Sequence, residues 1–307
     1  MLLATCYVLV EMNDDATRAP APFVVGLTRS GTTLLRMMLD AHRELTIPPE
    51  THFVPDVIKA ARDGGGVDGV LAAMTGNRTW GDFGIGEDEM RSRLEALPQD
   101  DPAAAVRAFF EAYAERQGKP RWGDKTPAYM LSVQRIGRTL PESRFIHLIR
   151  DGRDVALSQR DRAINEQPPP AEQAERWVKR IRKSREQAQA LKGARYVEAR
   201  YEDLVRDPEL TLRRICEFID LPWDEGVLSY HERAAERLTE MAGELRGEGT
   251  HATQEAGYRI DNHAPTTKPP DPSKLDKWRR EMSEGDRRAY ESVAGEMLSE
   301  LGYEVAS

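Results

Sequence analysis

The chain has 307 residues, of which 39% are apolar and 31% charged, with a mean hydropathy of −0.63. That composition supplies a full hydrophobic core under a well-solvated surface and excludes a disordered chain. The net charge of −8 excludes a general nucleic-acid binder, because phosphate contacts need clustered Lys and Arg to displace counterions, so any anion site must be local. Cys6 and Cys216 lie far apart and give neither a disulfide framework nor metal-ligand spacing, which fits a reducing, cytoplasmic setting.

Met1–Val10 is apolar but stops at Glu11, short of the roughly 20 residues that cross a bilayer and without the basic start of a leader. It reads as an edge strand or as a start placed too far upstream, and no membrane span is expected. Residues 1–22 are expected to form an arm, and 23–307 a single domain. Phe23-Val24-Val25 reads as a strand ending at Gly26, and Leu34, Leu35, Met38 and Leu39 put one apolar face on a helix after a glycine-rich turn. A helix is predicted over Asp101–Gln117. Phe145–Ile149 is an apolar run of the kind found in strands buried on both faces, with His147 inside it as a core residue. Ala171–Lys192 follows as a helix, on which the basic run Lys179–Arg185 forms the solvated face opposite Trp177, Ile181, Ala188 and Leu191. A strand at Arg195–Tyr201 and helices at Glu209–Ile219 and near Gly285–Leu301 complete the series. Strands alternating with helices predict an α/β fold with a doubly wound, mostly parallel sheet and helices on both faces. Residues 61–101, the triplet Pro168-Pro169-Pro170 and residues 241–273 break the rhythm; the first and last are expected to be irregular lids or acceptor loops.

The segment Gly26-Leu27-Thr28-Arg29-Ser30-Gly31-Thr32-Thr33 joins the first strand to its helix, where main-chain N–H groups and the helix dipole make an anion site. Its spacing is that of an ATP or GTP phosphate loop, but Thr32 stands where such a loop carries the lysine that reaches the β- and γ-phosphates. The cation is Arg29, inside the loop. A donor with one 5′-phosphate and a transferable end group needs only that.

Arg29-Ser30-Gly31-Thr32-Thr33 resembles the 5′-phosphosulfate loop of sulfotransferases that use 3′-phosphoadenosine-5′-phosphosulfate (PAPS), and the pattern of motifs is most similar to the tyrosylprotein sulfotransferases and related bacterial enzymes. Arg150-Asp151-Gly152-Arg153-Asp154-Val155-Ala156-Leu157-Ser158 is similar to that family's 3′-phosphate site, where Arg150 and Ser158, with Arg162 one turn on, would grip the phosphate that distinguishes PAPS from ATP; an arginine fork suits that task. Tyr201, in Tyr201-Glu202-Asp203-Leu204, and Lys277, before Trp278, match residues that reach the nucleotide. Asn262 stands where the resemblance expects Ser. Pro49-Glu50-Thr51-His52 resembles the segment with the acceptor-side glutamate, although His52 replaces an Arg, and Trp122-Gly123-Asp124-Lys125-Thr126-Pro127 the segment with the lysine.

The resemblance implies in-line sulfuryl transfer from PAPS to the hydroxyl of a small molecule or tyrosine-like phenol. Glu50 would be the general base, Lys125 and Arg29 would stabilise the departing 3′,5′-bisphosphate (PAP), and Ser30, Gly31, Thr32 and Thr33 would hold its 5′-phosphate. No metal is called for, since the sequence has no His/Cys cluster. Two alternatives stay open: a phosphate-loop kinase or hydrolase, against which Thr32 and the Arg150–Ser158 element count, and a non-catalytic nucleotide-binding protein on the same fold. The sequence carries no signature of an oligomeric state.

Overall fold

In the computed structural model, which describes residues 18–98, 101–161, 167–245 and 253–305, the chain enters through strand β1 (Ala21–Gly26). Three two-residue strands follow, β2 (Leu45–Thr46), β3 (Arg121–Trp122) and β4 (Asp124–Lys125), and then β5 (Ser143–Ile149) and β6 (Tyr196–Arg200). The main sheet has the order β4-β1-β5-β6 with every neighbour parallel, and β2 pairs with β3 in a small second sheet. Alternate side chains of β1 and β5 enter different cores. Phe23, Val25, Phe145 and Ile149 pack with Phe109, Trp177, Ile181 and Leu298, whereas Val24, Ile146 and Leu148 pack with Leu35, Met38, Leu212 and Ile215. Helices therefore cover both faces, the doubly wound arrangement that the unbroken apolar run of β5 predicts.

The main helices fall within two or three residues of their expected bounds. In Pro102–Arg116, Asp101 caps the start by accepting from the N–H groups of Ala103 and Ala104, and Pro102 sits at the first helical position, where a missing N–H costs nothing. The others are Pro170–Gln189, Pro208–Phe218 and Glu284–Glu300. On Pro170–Gln189 the basic run faces outward as expected: Arg182 pairs with Glu296 and Arg185 with Glu198 and Glu300, while Trp177 and Ile181 are buried. His147 is a core residue, its Nδ1 2.6 Å from the Tyr196 hydroxyl, and burial lowers its pKa to about 4.

Three expectations are corrected. The stretch 61–101 contains helices Gly66–Thr75 and Glu87–Glu95 and the 3-10 turn Trp80–Phe83. Glu87, Asp88 and Glu89 in the first turn complement the helix dipole, and Val70, Leu71, Met74, Met90 and Leu94 are buried; the glycines punctuate helices and do not replace them. The segment 241–273 likewise contains helix Tyr258–His263 with 3-10 turns at Ala264–Thr267 and Pro272–Lys274. β1 also begins at Ala21, so the last two residues of the expected arm belong to the sheet. The expectation for Met1–Val10 lies outside the described residues.

An aromatic cluster anchors the helical layer next to Glu50. The Phe109 ring lies 4.8 Å from Phe53, 4.9 Å from Phe83 and 5.1 Å from Phe110, all edge-on. Such pairs contribute about 0.5–1.5 kcal/mol beyond the area they bury.

Candidate functional site

The site gathers at the carboxyl ends of the parallel strands, where ligands enter open α/β sheets. After β1 the loop turns through Arg29 and Gly31, both left-handed with φ of 78° and 90°. Gly31 is required on two counts: its φ is unfavourable for other residues, and a Cβ there would lie 2.3 Å from the Tyr201 ring. Helix Thr32–Asp40 starts at once with no side chain capping it, so its positive end faces the loop. Ser30 Oγ is buried without a hydrogen-bond partner. A buried hydroxyl of that kind costs free energy unless something accepts from or donates to it. Open helix end, orphaned hydroxyl and close Gly31–Tyr201 contact together fit a nucleotide's 5′-phosphate.

Arg150 and Ser158 are brought to the same place. Arg150, at the end of β5, lays its guanidinium 4.7 Å above the Tyr201 ring, donates to the Arg29 carbonyl at 3.3 Å and pairs with Asp154 at 3.4 Å, and its Nε is buried without a partner. Ser158, on helix Gly152–Arg160, accepts from Arg29 Nε at 3.1 Å. Arg29 thus bridges the phosphate loop and the second anion element. Tyr201 opens helix Tyr201–Arg206 directly after β6, and burial raises its hydroxyl pKa. Trp278 is buried with Arg153 3.5 Å above its ring, and its main-chain N–H donates to Asp154 at 2.8 Å, a packing role. Lys277 stands apart: its ammonium lies 3.2 Å from both Asp161 and Glu281 and is 31% exposed. Arg162 lies outside the described residues.

The side expected to meet the acceptor is built around Lys125 on β4. Lys125 is buried, with its Nζ 2.5 Å from Glu50 Oε1 and 3.4 Å from Thr33 Oγ1, so one ammonium joins the expected base to the phosphate loop. Burial lowers the Lys125 pKa against the opposing pull of Glu50. For Glu50, burial pushes upward, but Lys125 and the His52 ring, whose Nε2 is 3.0 Å from Oε2, outweigh it and hold the carboxyl well below the usual carboxylate range. His52 is itself left-handed at φ 57°, a conformation costing about 1–3 kcal/mol that persists where surroundings enforce it. Those surroundings are Thr51, whose N–H donates to Thr126 Oγ1 at 3.0 Å and whose hydroxyl donates to Asp124 at 2.8 Å and lies 2.8 Å from the Tyr129 hydroxyl.

His263, at the end of helix Tyr258–His263, is a member that the motifs do not single out. Burial, then the charges of Lys125, Arg29 and Arg36, lower its pKa to about 3, with Glu50 opposing, so the imidazole is neutral at ordinary pH. The one signal for it was its place directly after Asn262.

Residues 20–225 match the model of the sulfotransferase family, and the chain belongs to that family. It is similar to a putative protein-tyrosine sulfotransferase of Caenorhabditis briggsae, 30% identical over 93% of this chain and 89% of that one, and to protein-tyrosine sulfotransferase 2 of Gallus gallus, 28% identical over 73% of this chain and 58% of that one. The chain spans 55% to 59% of the length of the Caenorhabditis elegans, Drosophila melanogaster and Gallus gallus relatives. Among solved structures, the sulfotransferase domain of the Synechococcus PCC 7002 olefin synthase shares the fold, with a TM-score of 0.59 and 24% identity over 94% of this chain and 96% of that one. That of the curacin biosynthetic pathway does so with a TM-score of 0.55 and 21% identity, covering 94% of this chain and all of that one.

Proposed function

We propose that the protein transfers the sulfuryl group of PAPS to the hydroxyl of a small molecule or tyrosine-like phenol, releasing PAP. The observation that carries this reading is the position of Lys125, between Glu50 and Thr33, which sets a proton acceptor and an anion cradle on opposite sides of one ammonium. Ser30, Gly31, Thr32 and Thr33 would hold the 5′-phosphate through N–H groups and hydroxyls. Arg150 and Ser158 would hold the 3′-phosphate, Arg29, which donates to Ser158, would join Lys125 in stabilising the departing bisphosphate, and Tyr201 would support both phosphates from behind.

PAPS supplies the sulfur–oxygen bond that breaks. Glu50 takes the proton of the acceptor hydroxyl as its oxygen bonds to sulfur, and Lys125 stabilises the charge that collects on the oxygen left on phosphate. Paired as it is with Lys125 and His52, the Glu50 carboxylate is a weak base. Drawing the Lys125 ammonium toward the leaving oxygen removes the first of those partners, so the basicity of Glu50 rises when a proton must be accepted. A neutral His263, within electrostatic reach of this pair, adds no positive charge to it.

The test is differential binding followed by transfer. PAP at 100 times its Kd should raise the melting temperature by roughly 5 °C or more, with little shift from ATP and Mg²⁺, and PAPS labelled in its sulfuryl group should label a phenolic or alcoholic acceptor. A larger shift with ATP and Mg²⁺ would overturn the donor assignment in favour of a phosphate-loop kinase. Binding of PAP with no transfer to any hydroxyl class would favour the non-catalytic alternative.

A further inference from the structure

Helix Thr32–Asp40 opens the phosphate loop at one end and carries Arg36 at its fifth residue. Arg36 is 0% exposed, a placement that is unfavourable unless the guanidinium is paired. Its Nε donates to the Ile47 carbonyl at 2.9 Å and its Nη2 to Glu240 Oε2 at 3.0 Å. Ile47 is held from its other side as well: its N–H donates to Asp40 Oδ1 at 2.8 Å, and Arg237, which pairs with Asp40 at 2.8 Å, reaches the same carbonyl at 3.5 Å. Both polar main-chain groups of Ile47 are thus fixed by charged side chains.

Pro48 and Pro49 separate Ile47 from Glu50. Proline rings lock φ near −65°, so an orientation set at Ile47 reaches Glu50 with little slack. Glu240, the second anchor, also accepts from the Tyr113 hydroxyl at 2.9 Å and from Arg237. It stands in the turn Thr239–Met241, and the next residue but one, Ala242, accepts through its carbonyl from the N–H of Gly257 at 3.0 Å, directly before helix Tyr258–His263. The charge of Arg36 disfavours the protonated forms of both Lys125 and His263.

We propose that Arg36 is a positioning residue for the acceptor chemistry, fixing the Ile47–Glu50 segment to the helix of the phosphate loop and, through Glu240, to the segment bearing His263. The proposal rests on the sulfotransfer reading for its kinetic consequences, but the clamp can be measured without them. A guanidinium is needed because its planar fork presents one edge to the carbonyl and another to the carboxylate, which a lysine cannot match.

Arg36→Lys keeps the charge and loses the fork. It should lower kcat about tenfold or more, since small misplacement of a reacting group is costly, with PAP affinity within about twofold. Amide exchange at Ile47 should quicken about tenfold or more as the site opens locally. Arg36→Gln removes the charge, so the Lys125 ammonium holds its proton to higher pH and the alkaline limb of kcat moves up; a purely structural role would leave that limb in place. A folded Arg36→Lys protein with wild-type kcat and wild-type exchange at Ile47, or an unmoved limb in Arg36→Gln, overturns the proposal. Where neither Arg36 variant folds, the part-exposed Glu240→Gln decides: a kcat lowered about threefold or more with normal PAP binding supports the clamp, and wild-type kcat overturns it. If the wild-type chain transfers no sulfuryl group, the sulfotransfer reading falls, and exchange at Ile47 in these variants still decides the clamp.

Discussion

The half of the site proposed to hold the donor and the half proposed to meet the acceptor are assembled by different means. On the donor side, the loop after β1, the end of β5 and the start of helix Tyr201–Arg206 present groups from strand ends and helix starts, in short contiguous segments. On the acceptor side, Glu50 lies on a stretch without regular structure. It is held by Lys125, 75 positions away, and its segment by Arg36 and by Arg237, 190 positions from the Ile47 carbonyl it reaches. A backbone-built site is stiff before anything binds. One built from paired side chains depends on the pairs, so its electrostatics can change when one partner moves.

The largest expected effect separates the two halves. Glu50→Gln keeps the shape of the side chain and removes its proton-accepting charge, so kcat should fall by about 10³-fold, the scale of a lost general base, while PAP affinity stays within about twofold. Isothermal titration beside single-turnover transfer checks this. Equal losses in binding and turnover would mean that the halves are not independent. Next in size is Arg150→Ala, read by titration with PAP and with a nucleotide lacking the 3′-phosphate. Losing a charged hydrogen bond costs about 1.5–3 kcal/mol, so PAP should weaken about 10- to 100-fold while the other ligand changes little. Similar losses for both ligands would break the assignment of Arg150 to the 3′-phosphate.

The same contrast governs what could be read from the residues alone. The phosphate loop was legible because the turn after β1, with Arg29, Gly31 and Thr32, is dictated by neighbours in the chain, and its strand partner because Phe145–Ile149 announces a strand buried on both faces, whereas the roles of Arg150, Ser158 and Tyr201 came through resemblance. Glu50 and Lys125 were reached through resemblance, since nothing local to either shows that they form a pair. Arg36, Glu240 and His263 were missed: each sits in an ordinary helical context, and its role exists only where distant segments meet. The helices within 61–101 were missed for a different reason, Gly64-Gly65-Gly66 having been weighed above Val70, Leu71 and Met74, whose burial decides the matter.

Asp124 sharpens the comparison through pH. It neighbours Lys125 on β4, and burial raises its carboxyl from the ordinary 3.8 to about 7, against hydrogen bonds from Thr51 and Thr126. A folded state that holds its proton more tightly than the unfolded one gains stability at low pH and loses it as pH rises through about 7. Asp124→Asn keeps an acceptor for both hydroxyls and has no charge to bury. The variant should therefore gain on the wild type by several degrees of melting temperature between pH 4 and 8. A constant difference across that range would show that Asp124 carries its charge at neutral pH and that the acceptor side is more polar than its burial implies.

The smallest effect is expected at Lys277, where resemblance to the family and position in this chain diverge. The resemblance places its ammonium on the donor. In the structure that ammonium is shared between Asp161 and Glu281, and exposed pairs of this kind contribute about 0.2–1 kcal/mol. To reach a phosphate the side chain must leave two carboxylates, so the net gain is the difference between two similar attractions. Lys277→Ala should weaken PAP by less than about threefold, with a slight loss of stability. A loss of the size expected for Arg150 would mean that the donor half rearranges when it fills, Lys277 leaving Asp161 for the nucleotide, and would remove the claim that this half is stiff before binding.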